Sequence, residues 1–376
     1  MRLKIDRETL LRGVGRTLGV VDRRGTMPIL SHFLLQTGDA GVQISATDLE
    51  VSFRGFYPAE VLETGALTMP AHYFHSLVKE LPGESLELIG TETSNLQIQV
   101  GESRYQLHGL PADQFPPIPE ISDQKLAQVE SPLLREMIEK TIFSVSVDDL
   151  QYHLSGIFWE RVVSDAGDLL RLVSTDGHRL TLIQRPLPES EGFAIEEGIL
   201  IPRKGVAEIS RLLGEEERVA LGLSRKSLAL QVNDKYLFIR LLEKKFPDYR
   251  RIIPESFAHR FVLSRRDLYD TLRRISLLST ERFRGVVLKL TDNQLEATFN
   301  NPEVGEGREL LPLTLEAGDP AGLPLEVGFN ARYLLEPLNV MTTEAVILEM
   351  NDRDRPCRIM QQDDPNYFSI IMPMSL

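Results

Sequence analysis

The chain is poor in cysteine. Its 376 residues hold a single one, Cys357, which excludes an internal disulfide and a zinc cluster built from several cysteines. Long apolar runs are also missing. None approaches the ~20 residues that a membrane-spanning helix needs, and the opening "MRLKIDRETLLRG" lacks the apolar core of a signal peptide. No segment is of low complexity. There is no nucleophile elbow, no glycine-rich phosphate loop and no cluster of histidines at metal-ligand spacing; His108, His153 and His178 fall in separate segments. These absences point to a cytoplasmic chain without membrane partner, metal or cofactor. A hydrophobic content of 42% is enough for folded cores, and the length suggests two or three domains. The formal net charge of -13, taken as a whole-chain sum, argues against nucleic acid as a partner.

What is present is a pattern written three times. Helix-like stretches begin at Asp6 ("DRETLLRGVGRTLG"), Ser131 ("SPLLREMIEKTIFS") and Ser264 ("SRRDLYDTLRRISLL"). Each opens on a residue suited to an N-cap and continues with apolar residues at helical spacing. Ser264 with Asp267 resembles a capping box, and Pro132 suits a first helical position. Alternating strand patterns follow, such as Val42 and Ile44, then Leu49, Val51 and Phe53, and later Val286, Leu288 and Leu290. A second strand-to-helix unit comes next: "ALTMPAHYFHSLVKEL", "GILIPRKGVAEISRLL" and "LEVGFNARYLLEPLNV". The copies close alike, with "LPADQFPPIP", "EKKFPDYRRIIP" and "QDDPNYFSIIMP". A period of about 120–130 residues is far too long for a solenoid, so three similar domains are expected. They span residues 1–122, 129–252 and 255–376, with linkers near 120–129 and 252–256. The fold class is α+β, each domain carrying two helices on antiparallel sheets.

The stretch "STDGHRL", residues 174–180, looks like catalytic machinery, with Thr175, Asp176, His178 and Arg179 close together. Comparison of the copies argues otherwise. The first copy reads "ATDLEVS" and keeps Thr47 and Asp48 without the histidine or arginine. The shared Thr-Asp reads as a turn device, because short polar side chains satisfy neighbouring backbone groups. Only Gly177, His178 and Arg179 are particular to the middle copy.

The charges are unevenly placed. The helical parts of these six stretches, leaving out the N-cap Asp6 and the strand residue Glu326, hold fourteen Lys or Arg, Lys140 included, against eight Asp or Glu, so the acidic excess lies in the remaining segments. At about 100° per residue, Arg266 and Arg273 share one helix face while Leu268, Leu272 and Ile275 oppose it. Lys204 and Arg211 are likewise opposed by Val206, Ile209 and Leu213, and Arg12 and Arg16 by Leu10, Val14 and Leu18. Such faces are expected to meet phosphates without reading sequence.

The tandem repeat, "TDGHRL", "FPDYRRIIP", "NNPE", "VGFNARYLLEPLN" and the terminal "MPMSL" together resemble the bacterial DNA polymerase III beta subunit, the sliding-clamp family, from end to end. The resemblance implies a processivity factor without a catalytic site. It also implies that two three-domain subunits join head to tail in a closed ring around double-stranded DNA, with helices inside and sheets outside. It implies a homodimer contact through Tyr105 and Leu107 of the first domain and Leu277 and Leu278 of the third. It implies DNA contacts at Arg24, Tyr152 and His153, to which the charged helix faces add Arg12, Arg16, Lys204, Arg211, Arg266 and Arg273. It also implies a pocket for short peptides of the polymerase III alpha subunit, the clamp loader, other polymerases and repair proteins. The matching positions are Leu154, Thr175, Gly177, His178, Arg179, Leu180, Pro247, Arg251, Ile252, Asn330, Tyr333, Ile370, Met372, Pro373, Met374 and Leu376. Apolar anchors there would supply affinity, while Arg179 and Arg251 could hydrogen-bond peptide carbonyls. The alternation through Tyr367, Ser369 and Ile371 reads as a last strand leading into the methionine-rich end, and methionine suits a surface that takes several partners.

Two departures from the family pattern stand out: Ser375 where a basic residue is common, and Pro337, which removes a hydrogen bond from its helix or kinks it. Two other readings compete with a clamp. One is an enzyme, such as a hydrolase, using Asp176 and His178. The other is a monomeric DNA-binding protein, whose hold on DNA would weaken steeply with salt.

Overall fold

The structure, a computed structural model, describes residues 1–23, 25–119, 126–165, 167–187, 195–214, 217–280 and 284–374. The expected linker at 120–129, and with it the first domain's end at 122, falls largely outside the described residues. Six α-helices recur in the order the repeat predicts: α1 (Arg7–Thr17), α2 (Ala71–Glu80), α3 (Ser131–Glu139), α4 (Arg203–Leu212), α5 (Arg265–Ser276) and α6 (Ala331–Val340). None of the described helices is long and apolar enough to cross a membrane.

The helix starts follow their sequence signals, with one exception. Asp6 caps α1 by accepting from the Thr9 amide at 2.7 Å, and Ser264 caps α5 by accepting from that of Asp267. Each occupies an amide that the first helical turn leaves without a partner. Ser131 differs: its buried hydroxyl donates to the Leu213 carbonyl. The apolar faces are buried as their spacing requires, with Leu10, Val14, Val206, Ile209, Leu213, Leu268, Leu272 and Ile275 all inside. Leu18, just past the end of α1, is only half-buried. α6 runs on through Pro337, which has no N–H to return to the Tyr333 carbonyl.

The chain condenses into two compact units that do not coincide with the three repeats, because strands of neighbouring repeats share sheets. The first unit comprises residues 1–134, 188–194 and 204–241. It holds a five-stranded sheet in the order Glu60–Glu63, Arg2–Asp6, Ser85–Gly90, Asn95–Val100, Ser103–His108. Its second sheet has eight strands. Ala127–Glu130, Arg218–Leu223, Ser227–Val232 and Lys235–Arg240 from the middle repeat continue into Val51–Pro58, Gly41–Thr47, His32–Gly38 and Ala66–Pro70 from the first. Within this unit α1 packs on α2.

The second unit comprises residues 135–187, 195–203 and 242–376. Its nine-stranded sheet begins with Ile199–Pro202, Gly156–Val162, Leu169–Thr175 and Arg179–Pro186 of the middle repeat. It continues through Asp364–Ile371, Cys357–Gln361, Ala345–Met350, His259–Ser264 and Thr314–Ala317 of the last. A four-stranded sheet runs Gly305–Pro312, Gln294–Asn301, Gly285–Leu290, Leu325–Asn330, and α5 packs on α6. Every strand pair is antiparallel, as in the register Arg179 to Ile371, Leu180 to Ile370, Thr181 to Ser369.

The Thr-Asp turn device recurs in atomic detail. In the first copy Thr47 Oγ1 accepts from the Leu49 amide, and Asp48 Oδ1 accepts from those of Glu50 and Val51. In the middle copy Thr175 Oγ1 accepts from Gly177, and Asp176 Oδ1 from His178 and Arg179. In the last, Asn301 Oδ1 accepts from Glu303. In the first two copies the device places one residue in the left-handed region. That residue is Gly177 at φ 86° in the middle copy, but Leu49 at φ 75° in the first. Leu49 is therefore a turn residue, not a strand residue as its alternation with Val51 and Phe53 suggests. Its side chain is exposed. Positive φ is costly for a residue with a Cβ and free for glycine. Leu49→Gly should therefore raise stability. Gly177→Ala should lower it by about 1 kcal/mol, although nothing lies within 4 Å of an added methyl. Urea titrations of the two variants check the opposite signs.

Candidate functional site

The middle repeat's turn and the end of the chain meet in the second unit. Pairing of Asp364–Ile371 with Arg179–Pro186 carries the chain past the turn, where the Met372 amide donates to the His178 carbonyl at 2.9 Å. The Met374 amide then donates to the Gly328 carbonyl at 2.8 Å. Met372 and Pro373 are half-buried and Met374 is exposed. Leu376 and Ser375 lie outside the described residues.

An apolar floor lies beside this tail. Leu154, Leu180 and Ile370 are buried in one cluster with Val173, Phe246 and Tyr249, and Ile252 packs against it. Pro247, half-buried, precedes the short turn Tyr249–Arg251. A cavity of about 650 Å³ opens at one end, lined by Arg251, Ile252, Arg355 and Met372 among others. His178 and Gly177 are exposed, while Thr175 is buried and donates to the Arg179 carbonyl at 2.6 Å. Asn330 is buried and caps α6 through the Arg332 amide. Tyr333 follows on that helix, its ring 6.2 Å from His178 and nearly parallel to it.

Arg179 differs from its expected role. Its guanidinium is engaged within the fold instead of being offered to a ligand. Nε donates to Asp176 Oδ2 at 3.0 Å, one terminal nitrogen to Glu336 Oε2 and the other to the Phe143 carbonyl. The plane stacks over Tyr333 at 4.6 Å and Phe143 at 5.5 Å. Its side chain is only 5% exposed. Guanidinium is suited to such a place, because its flat fork meets several acceptors while its faces stack on rings. Arg251 remains available: its side chain is 85% exposed and pairs only with the half-exposed Asp248, at 2.9 Å. Burial, with the Asp176 carboxylate nearby, pushes the Tyr333 phenol above its ordinary range. Beneath the floor, burial and a hydrogen bond to Glu160 push the Tyr249 phenol up to about 12.

These arrangements hold surfaces in place. The Asp176 carboxylate is taken up by two backbone amides and Arg179, and the His178 ring lies against Tyr333, so the two do not form an acid–base pair. Among the described residues no group of three or more His, Cys, Asp or Glu is arranged to hold a metal.

Family models for the DNA polymerase III beta subunit match the chain in order: the N-terminal domain over residues 1–119, the central domain over 128–248 and the C-terminal domain over 250–375. The chain belongs to the DNA polymerase III beta subunit family. It is 34% identical to the beta sliding clamp of Vibrio cholerae over 378 residues and 35% identical to that of Pseudomonas putida over 381, with both chains fully covered in each case. The beta sliding clamp of Caulobacter crescentus, solved with polyethylene glycol bound, superposes with a TM-score of 0.92 at 31% identity. That of Bartonella birtlesii, solved with griselimycin, does so equally, again over all of both chains. Three clamp domains in tandem therefore make up the chain.

For this family the helix cations are of interest, and the structure sorts them. In the first unit Arg12 is exposed. Arg16 donates to the Arg211 carbonyl at 2.6 Å, and Arg211 pairs with buried Glu208. Arg12, Arg16, Arg23 and Arg211 line one cavity of about 580 Å³. Lys204 is held by the Asp48 carboxylate and the Val20 carbonyl. In the second unit Arg266 and Arg273 are exposed, as are Tyr152 and His153 on the short helix Asp149–Leu154. Lys140, part of the positive count, lies past α3; it is buried, bonded to Glu136 and placed over the Tyr367 ring. Arg24 lies outside the described residues.

Tyr105 is exposed and Leu107 half-buried on Ser103–His108, the outermost strand of its sheet. Leu277 is 79% exposed at the end of α5. Leu278 lies over Gly307 of another outermost strand, Gly305–Pro312. Glu336 is the residue that sequence reasoning missed, because its partner Arg179 is 157 positions away. Only its recurrence at the place of Glu208 in the preceding copy hinted at a role.

Replacing Arg179 with Ala should destabilise the second unit by about 3 kcal/mol, because it strands the shielded carboxylates of Asp176 and Glu336. Lysine should not restore the loss, since it can neither stack nor reach three acceptors. Urea unfolding of both variants is the check.

Proposed function

We infer that this chain is a DNA sliding clamp of the replication machinery, and the observation that carries this is the unbroken run of three beta-subunit domains over its whole length. The family consists of processivity factors that are not themselves catalytic. The protein encircles double-stranded DNA, holds it by topology and tethers the polymerase. It has no active site of its own. Exposed Arg12, Arg266 and Arg273 meet phosphates in passing, without sequence preference, and Tyr152, His153 and Arg24 join them. Arg16, Arg211 and Lys204 contribute charge from positions where carbonyls and carboxylates already hold them.

The ring is a head-to-tail homodimer with domains at 1–122, 129–252 and 255–376. Two sheet edges support this reading: Ser103–His108 in the first unit and Gly305–Pro312 in the second are each paired on one side only. An open edge is a template for another strand, and Tyr105, Leu107, Leu277 and Leu278 supply apolar surface beside the two edges. The pocket formed by the turn, the tail and the floor takes short peptides of the alpha subunit, the clamp loader and other polymerases or repair proteins. Arg251, Met372 and Met374 face the ligand, while Leu154, Leu180 and Ile370 back the site. Arg179 shapes the wall.

Loading onto nicked circular DNA by the cognate loader tests the topological hold. The protein should stay on the circle through a high-salt wash and leave once the circle is cut. Loss in the wash, equal on circle and line, would mean ordinary electrostatic binding. Changing Leu277 and Leu278 together to Asp should give monomers by sedimentation, and an unchanged mass would remove the proposed interface.

A further inference from the structure

We propose that Glu336, a residue facing no ligand, is the positioning residue of the peptide pocket: by holding the Arg179 guanidinium it sets the stacked wall of Tyr333 and His178. This rests on the pocket reading above and extends it to a side chain outside the pocket's own lining.

The reasoning starts from the geometry of α6. Glu336 stands three residues after Tyr333 and four after Arg332, so all three lie on one side of the helix. Its two oxygens take different partners. Oε1 accepts from Arg332 Nε at 2.8 Å, an exposed pair, and Oε2 accepts from Arg179, which is buried. The first contact is a surface ion pair of the kind that contributes little. The second is shielded and holds one of the three nitrogens by which Arg179 is fixed. The other two anchors, Asp176 and the Phe143 carbonyl, belong to the middle repeat. Glu336 is therefore the charged anchor that ties Arg179 to the last repeat.

The position of the Arg179 plane governs its neighbours. It stacks over Tyr333, whose ring also lies against His178, at 15° between ring planes. His178 gives its carbonyl to the Met372 amide at the start of the tail. A continuous series of contacts thus runs from Glu336 through Arg179, Tyr333 and His178 to the tail. Without the carboxylate, Arg179 keeps two anchors within the middle repeat, Asp176 and the Phe143 carbonyl, but loses its charged anchor on α6. The Tyr333 ring is then free to change rotamer, and a ligand must pay the ordering cost that the free protein now carries.

Griselimycin, found on two relatives' clamps in solved structures, serves as the probe, with affinity measured calorimetrically on the full-length protein. Glu336→Ala should weaken binding about tenfold, and Glu336→Gln, which retains an acceptor, by less. Arg332→Ala removes the other partner of Glu336 and should leave affinity within about twofold. In an Arg179→Met background, Glu336→Ala should add no further loss, because the two act through one contact. Thermal unfolding of each variant establishes that it is folded, and Glu336→Gln carries the test if the alanine variant is not. Deletion of residues 372–376 separates the two levels of the argument. If the deletion abolishes binding and both Glu336 variants bind normally, Glu336 has no positioning role while the pocket stands. If the deletion leaves binding intact, the pocket reading itself fails. Equal losses in Arg332→Ala and Glu336→Ala would place the effect in the stability of α6 and overturn the proposal.

Discussion

One pairing of strands organises the second unit of this molecule. Arg179–Pro186 and Asp364–Ile371 belong to different repeats, yet they lie side by side with Arg179 opposite Ile371. The pairing merges two sheets into one of nine strands and delivers the tail to the turn of the middle repeat. Buried contacts fix the register: Thr181 meets Ser369 through their hydroxyls at 2.9 Å, and Leu180 and Ile370 enter the same apolar cluster. A slip of one residue would turn the apolar side chains to the opposite face. The meeting of turn and tail is thus a by-product of sheet continuation. The first unit repeats the device, with Lys235–Arg240 laid against Val51–Pro58 and the Arg240 amide on the Glu50 carbonyl at 2.8 Å. There the chain goes on into Leu241 and Leu242 instead of a methionine-rich end.

Charge is distributed with less freedom than a count of cations suggests. Several helix arginines and lysines serve the fold. Arg265 donates to the Thr343 and Leu338 carbonyls, Arg7 to that of Lys79, and Arg274 grips Glu309. Lys204 and Lys140 are likewise bound. The cations left outward are fewer, and they sit on a frame that the others stiffen. A clamp needs just such an arrangement. Fixed, specific contacts to DNA would impede sliding, whereas sparse exposed charges attract the duplex without gripping any one step.

Much of this was legible in the sequence. The threefold repeat predicted three pairs of helices, and the apolar spacing of α1, α4 and α5 identified their buried faces. Comparison of the copies is enough to identify Thr47-Asp48 and Thr175-Asp176 as turn devices. The same alternation misplaced Leu49, because a pattern of period two cannot distinguish a strand residue from a turn residue that happens to be apolar. Lys140 reads as one more surface cation: its i,i+4 spacing from Glu136 suits an ion pair, but spacing does not reveal that the amine is buried over the Tyr367 ring. The role of Arg179 was legible only in part. Its sequence neighbours suggested a site, but its decisive partners, Phe143 and Glu336, lie far away along the chain.

The shared sheet also constrains how the molecule comes into being. Thr181 and its partner Ser369 are 188 positions apart, so during synthesis the strand Arg179–Pro186 emerges long before the one that covers it. Until then it presents a row of unpaired amides and carbonyls, which invites association with other chains. The junction of turn and tail is therefore assembled late, and a product released before Asp364–Ile371 is made would carry the open edge permanently.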